Sequence, residues 1–354
     1  MLEGVNDMAR KTSGTKRKAT RGQNGNGHSA ESRVQHQTQT ARPSDASRLP
    51  PARTAAPAEA RRPVKGRLII IGGHEDREKD RLILRQVTDC AKRGKVVVCT
   101  VASDVPGELW ETYERAFREL GCSEVVHLDI GRRADLMLDP PLHLMEGADA
   151  FFFTGGGQLK ITTRFAGTRL CSAVEEFYRQ GGTVAGTSAG AAVMAETMIV
   201  SGPSRETHKI GEALQMAPGL GFIRDVIVDQ HFAERGRIGR LLGAVAQNPR
   251  FLGLGIDEDT AVIVEQEKRF TVIGAGAAYV ADAEDVTYTN VAEEESSRAL
   301  SLFNIRLHVL SQGDSYDLRT RQPSHQFAKK VDEALSESNH RQTGSSQSEA
   351  SAGA

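Results

Sequence analysis

Short, continuously apolar segments alternate with charged, periodic segments across the middle of the sequence. The apolar segments end in glycine or polar residues, and they span residues 67–73, 95–101, 123–130 and 148–154. Such segments are typical of strands in a sheet that is covered on both faces, and the charged stretches predict helices over 77–92 and 107–120. Strands that alternate with helices favour a mainly parallel α/β sheet. Ligands of these sheets bind where the strands end, so the residues that follow each strand are candidate site residues.

The segment 183–194 predicts a buried strand, a tight turn and the start of a helix, with a serine at the turn. Gly186-Thr187-Ser188-Ala189-Gly190 fits the G-x-S-x-G pattern of a nucleophile elbow, in which small neighbours let the turn lift a hydroxyl out of the sheet. The N–H of Ala189 and the positive end of the following helix would then face an oxyanion formed at Ser188. A plain strand-to-helix turn with close packing is the alternative.

A second glycine-rich turn follows the apolar segment that ends at Thr154. Three consecutive glycines, residues 155–157, precede Gln158 and a predicted helix that runs towards Arg179. Because glycine lacks a Cβ, this backbone can approach a ligand closely, which makes the turn a candidate second oxyanion donor. Gln158 is a candidate substrate anchor. The alternatives are a flexible connector and a glutamine that merely opens the helix.

The apolar run 225–232 predicts another buried strand, which ends in Asp229, Gln230 and His231. Alternation along a strand places Asp229 and His231 on one side and Gln230 on the other. A single histidine is more often structural than catalytic. At the end of a core strand, however, His231 lies where this class of sheet binds ligands, so we treat it as a candidate catalytic residue.

Three arginines, Arg235, Arg237 and Arg240, follow this strand at short intervals. Arg237 and Arg240 are three residues apart and would share one face of a helix. Guanidinium groups bind carboxylates through paired hydrogen bonds, so the cluster could hold an acidic substrate. Surface salt bridges are the alternative for such a segment.

Three consecutive acids, Asp257, Glu258 and Asp259, lie between two apolar stretches. One of them could orient an imidazole, and their spacing does not distinguish among them. The later apolar segments, between residues 269 and 310, predict strands joined by hairpins. We therefore expect a mixed edge to the sheet.

The two ends of the chain differ in composition from its middle. Residues 1–63 are rich in basic, small and polar residues, and residues 323–354 are polar and rich in serine. Both ends have too few large apolar residues to fold, so we expect disordered tails around a catalytic domain over 64–322. The basic cluster Lys16-Arg17-Lys18 could contact nucleic acid, although a solvated extension is the favoured interpretation.

The chain of 354 residues has a formal net charge of -1, which indicates no strongly charged partner. Its cysteines are scattered without a C-x-x-C pair, which indicates neither a zinc site nor a disulfide framework and favours a reduced, cytoplasmic setting. These cysteines are Cys90, Cys99, Cys122 and Cys171. No apolar run is long enough to span a membrane, and the N-terminus lacks the apolar region of a secretory signal.

Four blocks, in the order 153–158, 186–190, 229–240 and 255–258, carry a family resemblance. Over residues 67–318 the chain resembles the serine peptidase family that includes cyanophycinases and peptidase E. The resemblance implies a three-layer, flavodoxin-like α/β sandwich with a mainly parallel sheet, related to class I glutamine amidotransferases. The site residues that it implies are Ser188 as nucleophile, His231 as general base, Glu258 as the acid that orients the imidazole, and Gly156 and Ala189 as oxyanion donors.

The resemblance also implies a substrate, cyanophycin, in which a poly-aspartate backbone carries arginine on each side-chain carboxyl. The enzyme would cut the aspartyl backbone through an acyl-enzyme and release β-aspartyl-arginine, as a homodimer and without a metal or organic cofactor. The residues that match the family's substrate pocket are Gln158, Asp229, Gln230, Arg235, Arg237 and Arg240. One position departs from the family pattern, since Gly157 stands where an acid usually precedes the glutamine.

Two other functions remain open from the sequence. A peptidase E-like α-aspartyl dipeptidase would keep the serine elbow but would not need the arginine cluster. A non-catalytic protein that binds a polyanion through the scaffold or the basic tail is an alternative of another class. The complete set of Ser188, His231 and Glu258 argues against that second alternative.

Overall fold

The computed structural model describes residues 64–204, 207–210, 214–293 and 297–325. The predicted tail 1–63 lies outside these residues, as does the part of the second predicted tail from 326 to 354. Pro323 and Ser324, which the sequence places in that second tail, instead form a strand with Gln322. They are held there by pairing with the strand that contains Tyr316.

The strands largely follow the apolar segments of the sequence, because such residues can fill the interior of a sheet that is covered on both faces. In chain order the strands are β1 (Arg67–Ile71), β2 (Lys95–Cys99), β3 (Glu124–Leu128), β4 (Ala148–Phe153), β5 (Thr183–Thr187), β6 (Thr197–Ser201), β7 (Gln215–Pro218), β8 (Val226–Gln230), β9 (Leu252–Ile256), β10 (Thr260–Glu265), β11 (Arg269–Gly274), β12 (Ala278–Asp282), β13 (Tyr288–Thr289), β14 (Leu302–Phe303), β15 (Arg306–Leu310), β16 (Ser315–Asp317) and β17 (Gln322–Ser324). The helices are α1 (Leu82–Cys90), α2 (Pro106–Glu119), α3 (Arg133–Leu138), α4 (Gln158–Phe165), α5 (Arg169–Gln180), α6 (Ala189–Ala192) and α7 (Ile238–Gln247), with a 3₁₀ turn at Leu142–Met145.

Nine strands form the main sheet, in the order β17-β16-β11-β10-β1-β5-β4-β2-β3. Strands β1, β5, β4, β2 and β3 run parallel to one another. In the pairing of β1 with β5, Arg67 lies opposite Thr183 and Ile71 lies opposite Thr187. The strands on the other side of β1 are antiparallel, with hairpins between β10 and β11 and between β16 and β17. The prediction of a mainly parallel sheet with a mixed edge is confirmed.

Helices cover both faces of the main sheet and give it three layers. The side chains of β4 alternate between two hydrophobic cores, as they must in a strand. Phe152 packs in the core that contains residues of α1 and α2, whereas Phe151 and Phe153 pack in the core that contains residues of α4 and α5. The predicted α/β class is therefore confirmed.

Helix α1 begins at Leu82, whereas the sequence pattern predicts a start at residue 77. The difference arises from Asp76, whose carboxylate accepts backbone N–H groups from Glu78, Lys79 and Arg81 at 2.9–3.0 Å. These hydrogen bonds lower the pKa of Asp76 to about 2. They also give the backbone a partner other than the helix, so a turn forms here.

A second sheet has the order β15-β12-β9-β8. Strands β8 and β9 are parallel, and α7 lies between them in the chain, whereas β12 is antiparallel to both β9 and β15. Strand β8 packs against α6, the short helix that follows β5. The chain then crosses from β9 to β10 of the main sheet through residues 257–259. The ends of β5 and β8 thus come together where the two sheets meet.

The four cysteines are free thiols, and three of them are buried. Across the residues described, no helix has the length and apolar character needed to cross a membrane.

The aromatic core beneath α2 gives a test of the fold. Phe152 is fully buried, with its ring centroid 4.8 Å from that of Tyr113 and 5.4 Å from that of Phe117. We expect Phe152→Ala to lower the free energy of unfolding by about 3–5 kcal/mol, because it removes these contacts and leaves a cavity. Urea unfolding of the full chain measures this loss.

Phe303→Ala is the matched control, since Phe303 is 57% exposed on the short strand β14. Its loss should stay within about 1 kcal/mol, as is usual for surface substitutions. A loss for Phe152→Ala no larger than that of the control would contradict the packing described here.

Candidate active site

Ser188 occupies a strained turn between β5 and α6, with φ 54° and ψ -109°. Its N–H donates to the carbonyl oxygen of Ile71 at 3.0 Å, which fixes the turn to β1. The glycines on either side leave no room for larger residues. A Cβ on Gly186 would lie 2.6 Å from a backbone oxygen of the following turn, and a Cβ on Gly190 would lie 2.4 Å from the carbonyl oxygen of Phe153. The local geometry is that of a nucleophile elbow.

His231 lies one residue beyond β8 and also has a positive φ, of 48°. Its N–H donates to the carbonyl oxygen of Gly72 at 2.8 Å. Its Nε2 lies 2.8 Å from Oγ of Ser188. A Cβ on Gly73 would lie 2.3 Å from Cε1 of the imidazole, so the chain can pass this close only as glycine.

Glu258 is the acid that reaches His231, with Oε1 2.6 Å from Nδ1 of the imidazole. Asp257 instead accepts two backbone N–H groups from neighbouring loops, at 2.9 and 3.1 Å. Asp259 accepts the N–H of Asp76 at 2.9 Å. The three acids that spacing alone could not distinguish are thus separated by their partners.

The protonation of His231 follows from its surroundings. Burial lowers the pKa of His231, and Arg235 and His74 act in the same direction, whereas the hydrogen bond to Glu258 opposes them. The net shift is downward, so the imidazole is neutral at neutral pH. Because a carboxylate can only accept, Nδ1 carries the proton and Nε2 is left to accept the hydroxyl proton of Ser188.

The glycine turn after β4 lies beside the serine. A Cβ on Gly155 would lie 3.9 Å from Oγ of Ser188. Gly156 has φ 139°, and a Cβ there would lie 2.1 Å from the carbonyl oxygen of Ala102, so only glycine fits. Ala189 is the first residue of α6, where backbone N–H groups have no acceptor within the helix. Ala189 is the chain neighbour of Ser188, and Gly156 lines the same cleft as Ser188.

Arg237 and Arg240 are buried, which is contrary to the alternative of surface salt bridges. Asp229 binds Arg240 through both carboxylate oxygens, with Nε to Oδ2 at 2.6 Å, and accepts from Arg237 at 3.2 Å. Arg237 also donates to Oε1 of Gln230 at 2.6 Å. Burial lowers the pKa of Arg237 to about 10, which leaves it charged at neutral pH. Arg235, by contrast, is exposed.

Gln158 is the first residue of α4, and its side-chain amide is already engaged. Its Nε2 donates to the carbonyl oxygens of Ile199 and Val200, both at 3.1 Å. The glutamine therefore ties the glycine turn to β6 while it lines the cleft.

A cleft of about 530 Å³ opens above Ser188. The sequence-predicted residues that line it are Gly156, Gln158, Ser188, Gln230, His231, Arg235, Arg237 and Arg240. Asp229 lies behind this wall, only 1% exposed, and contacts the arginines rather than the cleft. The lining residues that sequence reasoning missed are His74, Arg77, Ser103, Leu109, Tyr113 and Val200.

A buried acid that sequence reasoning also missed, Glu75, lies below the cleft. It accepts hydrogen bonds from the hydroxyls of Thr187, at 2.5 Å, and Tyr113, and from Nε of Arg77 at 3.2 Å. Burial, together with the negative charge of Glu75, raises the pKa of Tyr113 well above its usual value. Glu75 follows the glycines that end β1, so the rule that led to the other strand ends could have found it.

Comparison with known proteins identifies the class of the chain. Residues 68–273 match Peptidase family S51. A cyanophycinase from Synechococcus elongatus is 39% identical over 266 residues, which cover 74% of this chain and 82% of the relative. A cyanophycinase from Geminocystis herdmanii is 36% identical over 263 residues, which cover 73% of this chain and 96% of the relative.

A solved structure supports the fold. A peptidase from an acI-B1 Actinobacterium superposes with a TM-score of 0.53 at 18% identity, covering 73% of this chain and 98% of that one. This similarity agrees with the expected flavodoxin-like sandwich. Taken with the sequence matches, it leads to one assignment: the chain belongs to peptidase family S51 and is a serine-type peptidase.

The buried ion pairs give a second test. Asp229→Asn keeps the size of the side chain but leaves two buried guanidinium groups without a carboxylate. We expect a loss of about 3–5 kcal/mol in the free energy of unfolding, because an uncompensated buried charge is costly. Urea unfolding at neutral pH checks this.

Asp225→Asn is the control for this substitution. Asp225 pairs with Arg250 at 3.4 Å, and both side chains are more than half exposed. Such a pair contributes about 0–1 kcal/mol. Similar losses for the two variants would show that burial does not set the strength of the Asp229 interactions.

Proposed function

We propose that this peptidase acts as a cyanophycinase, which hydrolyses the aspartyl backbone of cyanophycin and releases β-aspartyl-arginine. The observation that carries the proposal is a hydrogen-bonded chain of Ser188, His231 and Glu258 in a cleft walled by arginines. The relatives named cyanophycinase, at 36–39% identity over most of this chain, support it.

In the proposed reaction Ser188 is the nucleophile. Nε2 of His231 accepts the hydroxyl proton while Oγ attacks a backbone carbonyl, and the carboxylate of Glu258 stabilises the imidazolium that forms. The N–H groups of Ala189 and Gly156 would donate to the oxyanion of the tetrahedral intermediate.

The intermediate then collapses by breaking its C–N bond. His231 gives its proton to the departing amine, and an ester with Ser188 remains. Water attacks this acyl-enzyme with His231 again as base, which releases the product and restores the hydroxyl of Ser188. Each step moves one proton through Nε2, so no cofactor is needed for the proposed chemistry.

The charges in the cleft suit this polymer. Each unit of cyanophycin offers a free carboxylate on its arginine, and Arg235, Arg237 and Arg240 line the cleft. Gln158 and Gln230 would add hydrogen bonds. We assign Asp229 a supporting role, since its oxygens already bind two of these arginines.

Other parts of the proposal rest on the sequence and its resemblance alone. We place the catalytic domain at 64–324, which extends the expected 64–322 by the two residues that complete β17, between the tails 1–63 and 325–354. We further propose a cytoplasmic homodimer. Contact between the basic N-terminal tail and nucleic acid is the less favoured interpretation.

Ser188→Ala tests the nucleophile. We expect kcat for dipeptide release from insoluble cyanophycin to fall by roughly a million-fold, as is typical when the nucleophile of such a triad is removed. Mass spectrometry of the soluble products measures β-aspartyl-arginine, and Ser172→Ala, on an exposed face of α5, is the matched control.

The outcomes of this experiment separate the candidate functions. Retention of most activity by Ser188→Ala would overturn the assignment of the nucleophile. Release of products from α-aspartyl dipeptides but not from cyanophycin would favour a peptidase E-like dipeptidase. No hydrolysis of either substrate by the folded wild type would favour a polyanion-binding protein.

Arg235→Gln tests the recognition of the polymer. The exposed Arg235 guanidinium is available to a substrate carboxylate, and a hydrogen bond to a charged group contributes about 1.5–3 kcal/mol. We expect kcat/KM on cyanophycin to fall by about 10–100-fold. Arg169→Gln, at the exposed start of α5, is the control and should leave kcat/KM on cyanophycin unchanged. Equal values of kcat/KM for the two variants would exclude Arg235 from substrate binding.

A further inference from the structure

His74 lies against the proposed triad, and the reaction described above gives it no role. Its Nδ1 is 3.3 Å from Oε2 of Glu258, the carboxylate oxygen that does not face His231. Its ring meets the ring of His231 edge-on, with centroids 5.2 Å apart. The side chain of His74 is 69% exposed, so this side of the triad is open to solvent.

The position of His74 is set by the backbone. A Cβ on Gly72 would lie 1.9 Å from the carbonyl oxygen of Asp257, and a Cβ on Gly73 would meet the ring of His231. The carbonyl of Gly72 also accepts the N–H of His231 at 2.8 Å. The two glycines thus allow the backbone to contact His231 and Asp257, and this path places His74 next to Glu258.

Three metal-binding atoms meet at this point. One ring nitrogen of His74, one ring nitrogen of His231 and a carboxylate oxygen of Glu258 all lie within 4.8 Å of one another, and no other such group of three occurs among the described residues. Around a tetrahedral zinc ion with bonds of about 2.0–2.2 Å, neighbouring ligand atoms are about 3.4 Å apart. The His74–Glu258 distance of 3.3 Å is already close to that value.

The donor set also points to a particular class of ion. Two imidazoles and one carboxylate suit Zn²⁺, whereas Mg²⁺ prefers oxygen ligands. The distance of 2.6 Å between Nδ1 of His231 and Glu258 is that of a hydrogen bond, and it would widen by less than about 1 Å around zinc. Water would complete the coordination on the side that is open to solvent.

We propose that His74, His231 and Glu258 form an inhibitory Zn²⁺ site. The binding of zinc requires only these side chains, whereas its inhibitory effect rests on the proposed function of His231 as the base. The ion enters past His74 and takes the place of the proton between His231 and Glu258.

Zinc would inactivate the base by changing its tautomer. In the triad, Nδ1 of His231 carries the proton and the lone pair of Nε2 faces Ser188. Zinc takes the lone pair at Nδ1, so the neutral ring must carry its proton on Nε2, which then cannot accept the hydroxyl proton of Ser188. The proton moves within the ring, nothing is oxidised or reduced, and removal of zinc by a chelator restores the original state.

The test compares His74→Asn with the wild type in the full chain. Asn removes one ligand and tolerates the positive φ of 48° at this position. We expect the ZnCl₂ concentration that halves the rate on cyanophycin to rise by about 10–100-fold or more in the variant. His143→Asn, in the exposed 3₁₀ turn, controls for the loss of a histidine elsewhere and should behave as the wild type. MgCl₂ at the same concentrations should not inhibit.

Calorimetric titration of ZnCl₂ without substrate gives a second readout. We expect His74→Asn to lose one zinc-binding event that the wild type and His143→Asn retain. His74→Gln replaces His74→Asn in this titration if His74→Asn folds poorly, and the same loss is expected. Equal zinc binding or equal zinc inhibition in all folded variants would overturn the site. The two proposals can fail separately. If zinc binding depends on His74 but the wild type does not hydrolyse cyanophycin, the zinc site is supported and the proposed function is rejected.

Discussion

Two backbone hydrogen bonds at the end of β1 hold the proposed catalytic residues in place. The carbonyl of Ile71 accepts the N–H of Ser188, and the next carbonyl, of Gly72, accepts the N–H of His231. The serine and the histidine are 43 residues apart in sequence, yet two successive carbonyl groups, one at the end of β1 and one immediately beyond it, position both. Each has a positive φ, which costs on the order of 1–3 kcal/mol and persists only where the surrounding structure enforces it. The distance between the two side chains is therefore set by the sheet.

The second constraint is electrostatic. Asp229, Arg237 and Arg240 are at most 7% exposed, and charges so far from water are tolerated when they are paired with opposite charge. Asp229 accepts from both arginines and from the N–H of Gln230, which accounts for its burial. Two positive charges against one negative charge leave a net positive charge at the cleft wall. Compared with apolar residues of similar size, such a buried cluster contributes little to stability, although removal of one member leaves an uncompensated charge. The excess positive charge suits the cleft to an anion.

The sequence predicted the parts of this structure that depend on local pattern. Apolar segments marked the strands, and the small residues around Ser188 marked the elbow, because each of these depends on neighbours in the chain. The choice of Glu258, the burial of Asp229 and the network around Glu75 depend instead on contacts between distant segments. Glu75 and Thr187, for example, are 112 residues apart. No local pattern carries that information, and only the family resemblance singled out Glu258.

The proposed triad draws on both sheets. Ser188 follows a strand of the main sheet, His231 follows a strand of the second sheet, and Glu258 lies on the segment that joins them. A slip of one layer against the other by about 1 Å would break these contacts while every strand kept its own pairing, since hydrogen bonds weaken steeply with distance and angle. The proposed hydrolysis therefore depends on the alignment of the two sheets. A ligand that contacts residues from both sheets would stabilise that alignment.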